Sequence, residues 1–213
     1  MLTPYDVMRL RRSLSMGSEE FIKTHSKVDL RPDIGFPTLH LAMLDNENKS
    51  CPFVRDAGCS VYPDRPGACR TYPIGRAARM GENGEVVEQF FLVEEEHCQG
   101  FSEDKEWDVS EWGLDQGVRE YNDWNDRYMV LLAGQKARGG QISSNQANMA
   151  LLALYQLDRF RQFITDMKAL SKFDIPEQRV EAIMSDEEGL LDFAYDWMEL
   201  ILFGSCAGLK PKG

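Results

Sequence analysis

Four cysteines, Cys51, Cys59, Cys69 and Cys98, fall inside one 48-residue window of this 213-residue chain, and a fifth, Cys206, stands alone near the end. Thiolates bind zinc and iron–sulfur clusters, and four of them close one tetrahedral site or fill one cluster. Four plus one is the arithmetic of a tetrathiolate centre with a bystander. The spacing C-x7-C-x9-C-x28-C lacks the C-x2-C knuckle of zinc fingers and ribbons. Something rigid must therefore set the geometry. The stretch CSVYPDRPGACRTYP, Cys59 to Pro73, is expected to do so as a stiff extended loop. Pro63, Pro66 and Pro73 each remove a donor and restrict the residue before them, which argues against a helix there.

Charge on the same loop fits such a centre. Four thiolates around one zinc ion carry a net charge of about −2, and a cluster with four thiolates is also anionic. Arg65 and Arg70 could offset that charge and donate hydrogen bonds to the sulfurs, with Tyr72 beside them. Tyr62 and Tyr72 also suit packing against the prolines. His97 precedes Cys98, but neighbours in an extended segment point to opposite faces, so His97 is not expected as a ligand. His25 and His40 read as ordinary helix and strand residues, and Glu94 to Glu96 as a solvated strand end. The chain has no G-x-G-x-x-G, P-loop, H-E-x-x-H or G-x-S-x-G, so several common enzyme chemistries lack their apparatus.

The elements that must position these residues are legible in part. Thr3 caps a first helix, with Pro4 in its first turn, Asp6 near the positive end of its dipole, and Val7, Leu10 and Leu14 on one face. Ser18 opens a short second helix. Strands are expected over Phe36–Leu44, buried on both faces, and over Glu85–Glu95 after the turn GENG, with Cys98 directly following. Beyond Ser110 the pattern is helical: one helix through Leu114, Val118, Tyr121, Trp124 and Tyr128, broken at Gly139-Gly140, and another from Ser144 to Leu170. A short helix begins at Pro176, and a last one, capped at Ser185, stops at Gly204. The fold class is α+β: residues 1–108 form a small β-containing Cys-rich region, clasped by a C-terminal helical bundle over 109–213 that completes one compact unit.

Composition narrows the setting. A hydrophobic content of 43% describes a globular chain, and a net charge of −11 argues against nucleic acid or an anionic membrane as partner. No apolar run reaches membrane-spanning length and no secretory pattern opens the chain, so a cytoplasmic location is expected. The partner is expected to be a protein or redox partner of unknown identity.

The segment CPFVRDAGCSVYPDRPGACRTYPIG, Cys51 to Gly75, resembles the YkgJ-like cysteine-cluster family, described as zinc- or iron-chelating proteins. Its hallmark C-P-F-L…G-C-x-I-Y-x-x-R-P-x-x-C-R-x-Y-P is matched at Cys51, Pro52, Phe53, Gly58, Cys59, Tyr62, Arg65, Pro66, Cys69, Arg70, Tyr72 and Pro73. The opening LTPYDVMRLRRSL and Cys98 in HCQGF extend the resemblance over residues 2 to 101. Family members usually carry an upstream C-x-x-C-x-x-C-C-type cluster; this chain is expected to lack it and to hold one centre. The resemblance implies a metal or iron–sulfur site and allows both zinc and a cluster. With Cys51, Cys59, Cys69 and Cys98 as the expected ligands, the spacing unlike a zinc knuckle and the nearby arginines favour a 4Fe–4S cluster over zinc, with a role in electron transfer or redox.

Two alternatives stand beside that reading. The C-R-x-Y-P segment is similar to one in flagellin lysine N-methylases, which implies a protein lysine N-methyltransferase; a structural zinc module in an interaction protein is the other. No glycine-rich strand–helix turn suits S-adenosylmethionine, because Gly134, Gly139 and Gly140 are expected between helices and Gly81 and Gly84 in a hairpin-like connection. A pocket between the helices and the metal loop would offer Arg76 and Arg79 to an anionic ligand.

Overall fold

A computed structural model describes residues 1–96 and 98–212. Helix α1 (Pro4–Ser13) starts at a reciprocal cap: the Thr3 side chain accepts from the Asp6 amide, and the Asp6 carboxylate accepts from the Thr3 amide. Tyr5, Val7, Met8 and Leu10 are buried. Helix α2 (Ser18–His25) runs into β1 (Ser26–Leu30), which pairs antiparallel with β2 (Pro37–Leu41). Strand β2 is shorter than the expected Phe36–Leu44, and only Pro37, Thr38 and Leu39 are buried, so burial on both faces is confined to its first half. Strand β1 is illegible in the hydrophobic pattern because Lys27, Val28, Asp29 and Leu30 are all exposed.

The cysteine segment is more structured than expected. Strands β3 (Val54–Arg55) and β4 (Gly58–Cys59) form a tiny hairpin. A 3-10 turn over Tyr62–Asp64 then leads to a short helix, α3 (Gly67–Thr71). This corrects the expectation of a helix-free loop. Pro66 occupies the N-cap of α3, where a missing amide costs no helical hydrogen bond, and the helix ends at Tyr72, before Pro73. The prolines bracket the helix. Strands β5 (Ile74–Met80) and β6 (Val86–Leu92) pair antiparallel across GENG; β6 ends earlier than expected, so a further connection separates it from Cys98.

The remaining helices are α4 (Val109–Asp115), α5 (Val118–Arg138), α6 (Ser144–Tyr155), α7 (Leu157–Asp166), α8 (Glu177–Ser185) and α9 (Glu187–Phe203). Two helices expected as continuous are each divided. Gly117, at φ +61°, separates α4 from α5, and Leu114 is 86% exposed, not part of an apolar stripe. Gln156 leaves helical geometry at φ −120°, ψ 58° and splits α6 from α7. Gly134, expected in a connection, lies within α5. Asp186, not Ser185, caps α9 by accepting from the Gly189 amide.

The architecture is α+β, with three two-stranded antiparallel sheets among the described residues and a largely helical C-terminal region. One hydrophobic core runs from Leu2 to Leu209, and α1 packs on α5, α6 and α9. Among the described residues, no helix is long and apolar enough to cross a membrane.

The seam between α8 and α9 gives a test of this packing. A Cβ at Gly189 would stand 2.7 Å from the Ala182 carbonyl oxygen. Alanine gains about 1 kcal/mol in helix propensity, whereas forcing two packed backbones apart costs about 1–3 kcal/mol. Gly189→Ala is therefore expected to lower the urea midpoint of unfolding. A raised midpoint would show that the two helices are not packed this closely.

Candidate metal centre

The β3–β4 hairpin ties Cys51 and Cys59 into one small turn. The Val54 amide donates to the Cys51 carbonyl at 3.3 Å, and Val54 pairs with Cys59 across the hairpin. The Ser60 amide and hydroxyl both donate to the Phe53 carbonyl, at 2.8 and 3.0 Å. Phe53 is buried, and both cysteines pack against the core. Cys69 sits in the middle of α3, on an exposed part of the helix. Protein around its sulfur is nevertheless the first cause that pushes the thiol pKa up. The negative charges of Cys51, Asp6 and Cys59 act in the same direction, and Arg65 acts against them. These three cysteines share one electrostatic neighbourhood.

Cys98 is brought beside Tyr72, not beside the other three sulfurs, by another route. It precedes a 3-10 turn over Gln99–Ser102, and its amide donates to the Glu95 carbonyl at 2.9 Å. Tyr72, directly after α3, turns its hydroxyl toward Cys98. Contact with that sulfur is the main cause raising the Tyr72 pKa, followed by loss of solvent and then Glu95. The hydroxyl is closed to solvent and makes no hydrogen bond of full geometry among the described residues. No three of the four cysteine sulfurs lie within 4.8 Å of one another. His97 lies outside the described residues. His40 is exposed, and His25 packs its ring 5.1 Å from that of Phe53, its pKa lowered by burial.

Arg65 and Arg70 are 7% and 8% exposed, and neither meets a carboxylate among the described residues. Arg70 donates to the carbonyls of Pro63, Gln116 (2.9 Å) and Arg65 (3.2 Å) and lies 4.4 Å over the Tyr121 ring. Arg65 donates to the Tyr62 carbonyl and the Gln116 side chain and lies 3.8 Å over the Tyr62 ring. Carbonyl dipoles and ring faces stabilise a guanidinium, but they leave its full charge uncancelled.

Two further side chains position α3, and sequence reasoning missed both roles. The Asp6 carboxylate accepts from the Gly67 amide at 2.8 Å, so the residue that caps α1 also fixes the start of α3. The Trp112 indole donates to the Thr71 carbonyl at 2.9 Å and holds the other end. Asp6 reads in sequence as a purely local cap, and Trp112, within α4, carries no signal of this contact in the sequence pattern.

A different trio has its ligand atoms within 4.8 Å of one another: Asp196, Glu199 and Cys206. Asp196 is already matched by Arg127 at 2.9 Å and Arg179 at 2.5 Å. The need for a cation is met there by the protein itself.

The Asp6–Gly67 tie is open to a direct comparison. Asp6→Ala removes both the cap and the tie and should cost about 2–3 kcal/mol of stability. Thr3→Ala removes only the cap side chain and should cost about 1 kcal/mol. Hydrogen exchange is expected to speed up at the α3 amides in Asp6→Ala and to stay near wild type in Thr3→Ala. Equal exchange in the two variants would remove Asp6 as the anchor of α3.

No curated protein and no solved structure is similar to the chain at a significant level. Nothing in these comparisons or in the described residues supports the methyltransferase alternative. A family model does match: residues 1–102, a little under half of the chain, match CxxCxxCC, a putative zinc- or iron-chelating domain.

Proposed function

We propose that Cys51, Cys59, Cys69 and Cys98 hold one metal centre, an iron–sulfur cluster in preference to a zinc ion, and that the protein serves a redox-linked role. The observation that carries this reading is the pair of buried guanidinium groups, Arg65 and Arg70, with no carboxylate in ion-pair contact among the described residues. A buried charge without a counter-charge is costly. The thiols, with the Asp6 carboxylate, are nearby groups able to supply negative charge, and Arg65 already favours the thiolate of Cys69. Burial is the main cause that raises the Cys69 pKa, and the charges of Cys51, Asp6 and Cys59 add to it. A metal centre relieves both problems at once. The match of residues 1–102 to a zinc- or iron-chelating domain supports the same chemistry.

The preference for a cluster rests on ligand spacing and charge. The spacing C-x7-C-x9-C-x28-C lacks the C-x2-C knuckle of zinc fingers and ribbons, and the anionic charge of a cluster suits two arginines. Within this reading Tyr72 orients its hydroxyl toward Cys98, while Arg65 and Arg70 fix the ends of α3 and α4 around the site. When bound, a cluster supplies one-electron chemistry; the residues described here hold it and set its charge.

The test is purification of the full chain without oxygen, followed by iron, sulfide and zinc analysis and a visible spectrum. Iron and acid-labile sulfide are expected. Stoichiometric zinc without sulfide would replace the cluster by a zinc ion, and absence of both would overturn the centre. Single Ser substitutions of Cys51, Cys59, Cys69 or Cys98 should lose most of the metal, whereas Cys206→Ser should keep it. Full retention in Cys69→Ser would sink the four-ligand set.

A further inference from the structure

A cavity of about 760 Å³ opens between the β5–β6 hairpin, α3 and α5. That volume is in the range of small-molecule sites. Its lining is graded from depth to mouth. Ile34 and Tyr128, each 2% exposed, and Leu132, at 9%, lie at depth, whereas Arg79 and Lys136 are exposed to solvent at the mouth.

Charge in the cavity runs against the rest of the chain. Arg31, Arg76, Arg79 and Lys136 line it against the two carboxylates Asp6 and Asp126, in a protein of net charge −11. Two of the four cations are engaged: Arg76 holds Asp126 through two hydrogen bonds at 2.8 and 2.9 Å, and Arg31 holds Asp33 at 2.9 and 3.1 Å. The other two are not matched in that way. The Arg79 guanidinium reaches only the Met80 carbonyl, at 3.4 Å, among the described residues. The Lys136 ammonium stands 4.0 Å from Asp33, which Arg31 already occupies. The Asp6 oxygens are committed to the Thr3 and Gly67 amides, so they do not compete for Arg79 or Lys136.

One polar group on the wall is unsatisfied. The Asn125 Oδ1 is closed to solvent and accepts no hydrogen bond among the described residues. A buried acceptor left in that state is an energetic cost that the packing of α3 on α5 must offset.

From these observations we propose that the cavity binds a small organic anion: an apolar body on the Ile34–Tyr128–Leu132 floor, and a carboxylate, sulfonate or similar group at the mouth held by Arg79 and Lys136. An arginine–lysine pair at a mouth with an apolar floor selects for charge and shape together, whereas a neutral apolar molecule gains only the floor. The site stands without the metal centre, since none of its charge comes from the cysteines, although α3 gives it one wall.

The probes are 8-anilinonaphthalene-1-sulfonate, which has an apolar body, one N–H and one negative charge, and its uncharged counterpart N-phenyl-1-naphthylamine. Fluorescence titration of the intact protein is expected to show one saturable site for the sulfonate. Arg79→Glu combined with Lys136→Glu should weaken sulfonate binding about tenfold or more while leaving the neutral probe within about twofold. Ala133→Trp, which fills the cavity from α5, should abolish both. Circular dichroism melts of each variant separate lost binding from lost folding, and amide NMR shifts with the sulfonate should cluster on β5 and α5. Unchanged sulfonate affinity in the charge-reversed protein, undiminished binding in a folded Ala133→Trp protein, or shifts confined to another surface would each overturn the proposal.

Discussion

The Asp6 carboxylate is 2% exposed and accepts from two backbone amides that belong to different elements, Thr3 before α1 and Gly67 at the start of α3. Burial pushes its pKa up, and those amides, with the Thr3 hydroxyl, pull against that shift. A carboxylate in such a place must be fully hydrogen-bonded, so its geometry is strongly constrained. Through it the start of α1 and the start of α3 are set together. Gly67 adds a steric reason: a Cβ there would come within 3.2 Å of Asn125 and 3.5 Å of Tyr121 on α5. The cysteine-bearing helix is thus seated on α5, and Cys69 inherits its place from contacts that involve no sulfur.

Arginine pairing elsewhere in the chain sharpens what is unusual about the cysteine segment. Arg9 pairs with Asp64 at 2.7 Å, Arg76 with Asp126, and Arg127 and Arg179 with Asp192 and Asp196. These pairs are ordinary tethers between elements. Arg65 and Arg70 are more deeply buried than any of them and meet only carbonyls, an amide and ring faces. Arginine tolerates this better than lysine, because its planar, weakly hydrated group can stack and fork at once. The asymmetry makes sense where negative charge arrives with a bound group.

How much could be read from sequence depended on whether the cause was local. The α1 cap was legible because Thr3, Pro4 and Asp6 act within one turn, and the end of α9 because Gly204 takes φ +79°. The cysteines stood out by spacing alone. Strand β1 was not legible, since Lys27 to Leu30 are exposed and their pairing with β2 is a tertiary fact. The breaks at Gly117 and Gln156 were hidden by apolar periodicity that continues across both. Helix α3 was misread because prolines were counted as breakers without regard to position. At Pro66 the missing amide falls where no helical bond is due. Of the candidate site, residue types were legible and partners were not: Gln116, Trp112 and the second role of Asp6 arise from contacts across 40 residues or more.

Helix α5 carries both halves of the region that sequence reading treated separately. Tyr121 lies under Arg70 and beside Gly67, so this face supports the cysteine-bearing helix. Asp126 takes the forked contact from Arg76, which pins the β5–β6 hairpin to the same face. A two-stranded hairpin is at best marginally stable by itself, and this one leaves Phe91 and Leu92 more than half exposed. Its order therefore depends on Arg76 and α5, not on a core of its own. The cysteine-bearing helix and the cavity beside it are held by one helix face, through contacts made neither by the thiols nor by the cations at the cavity mouth.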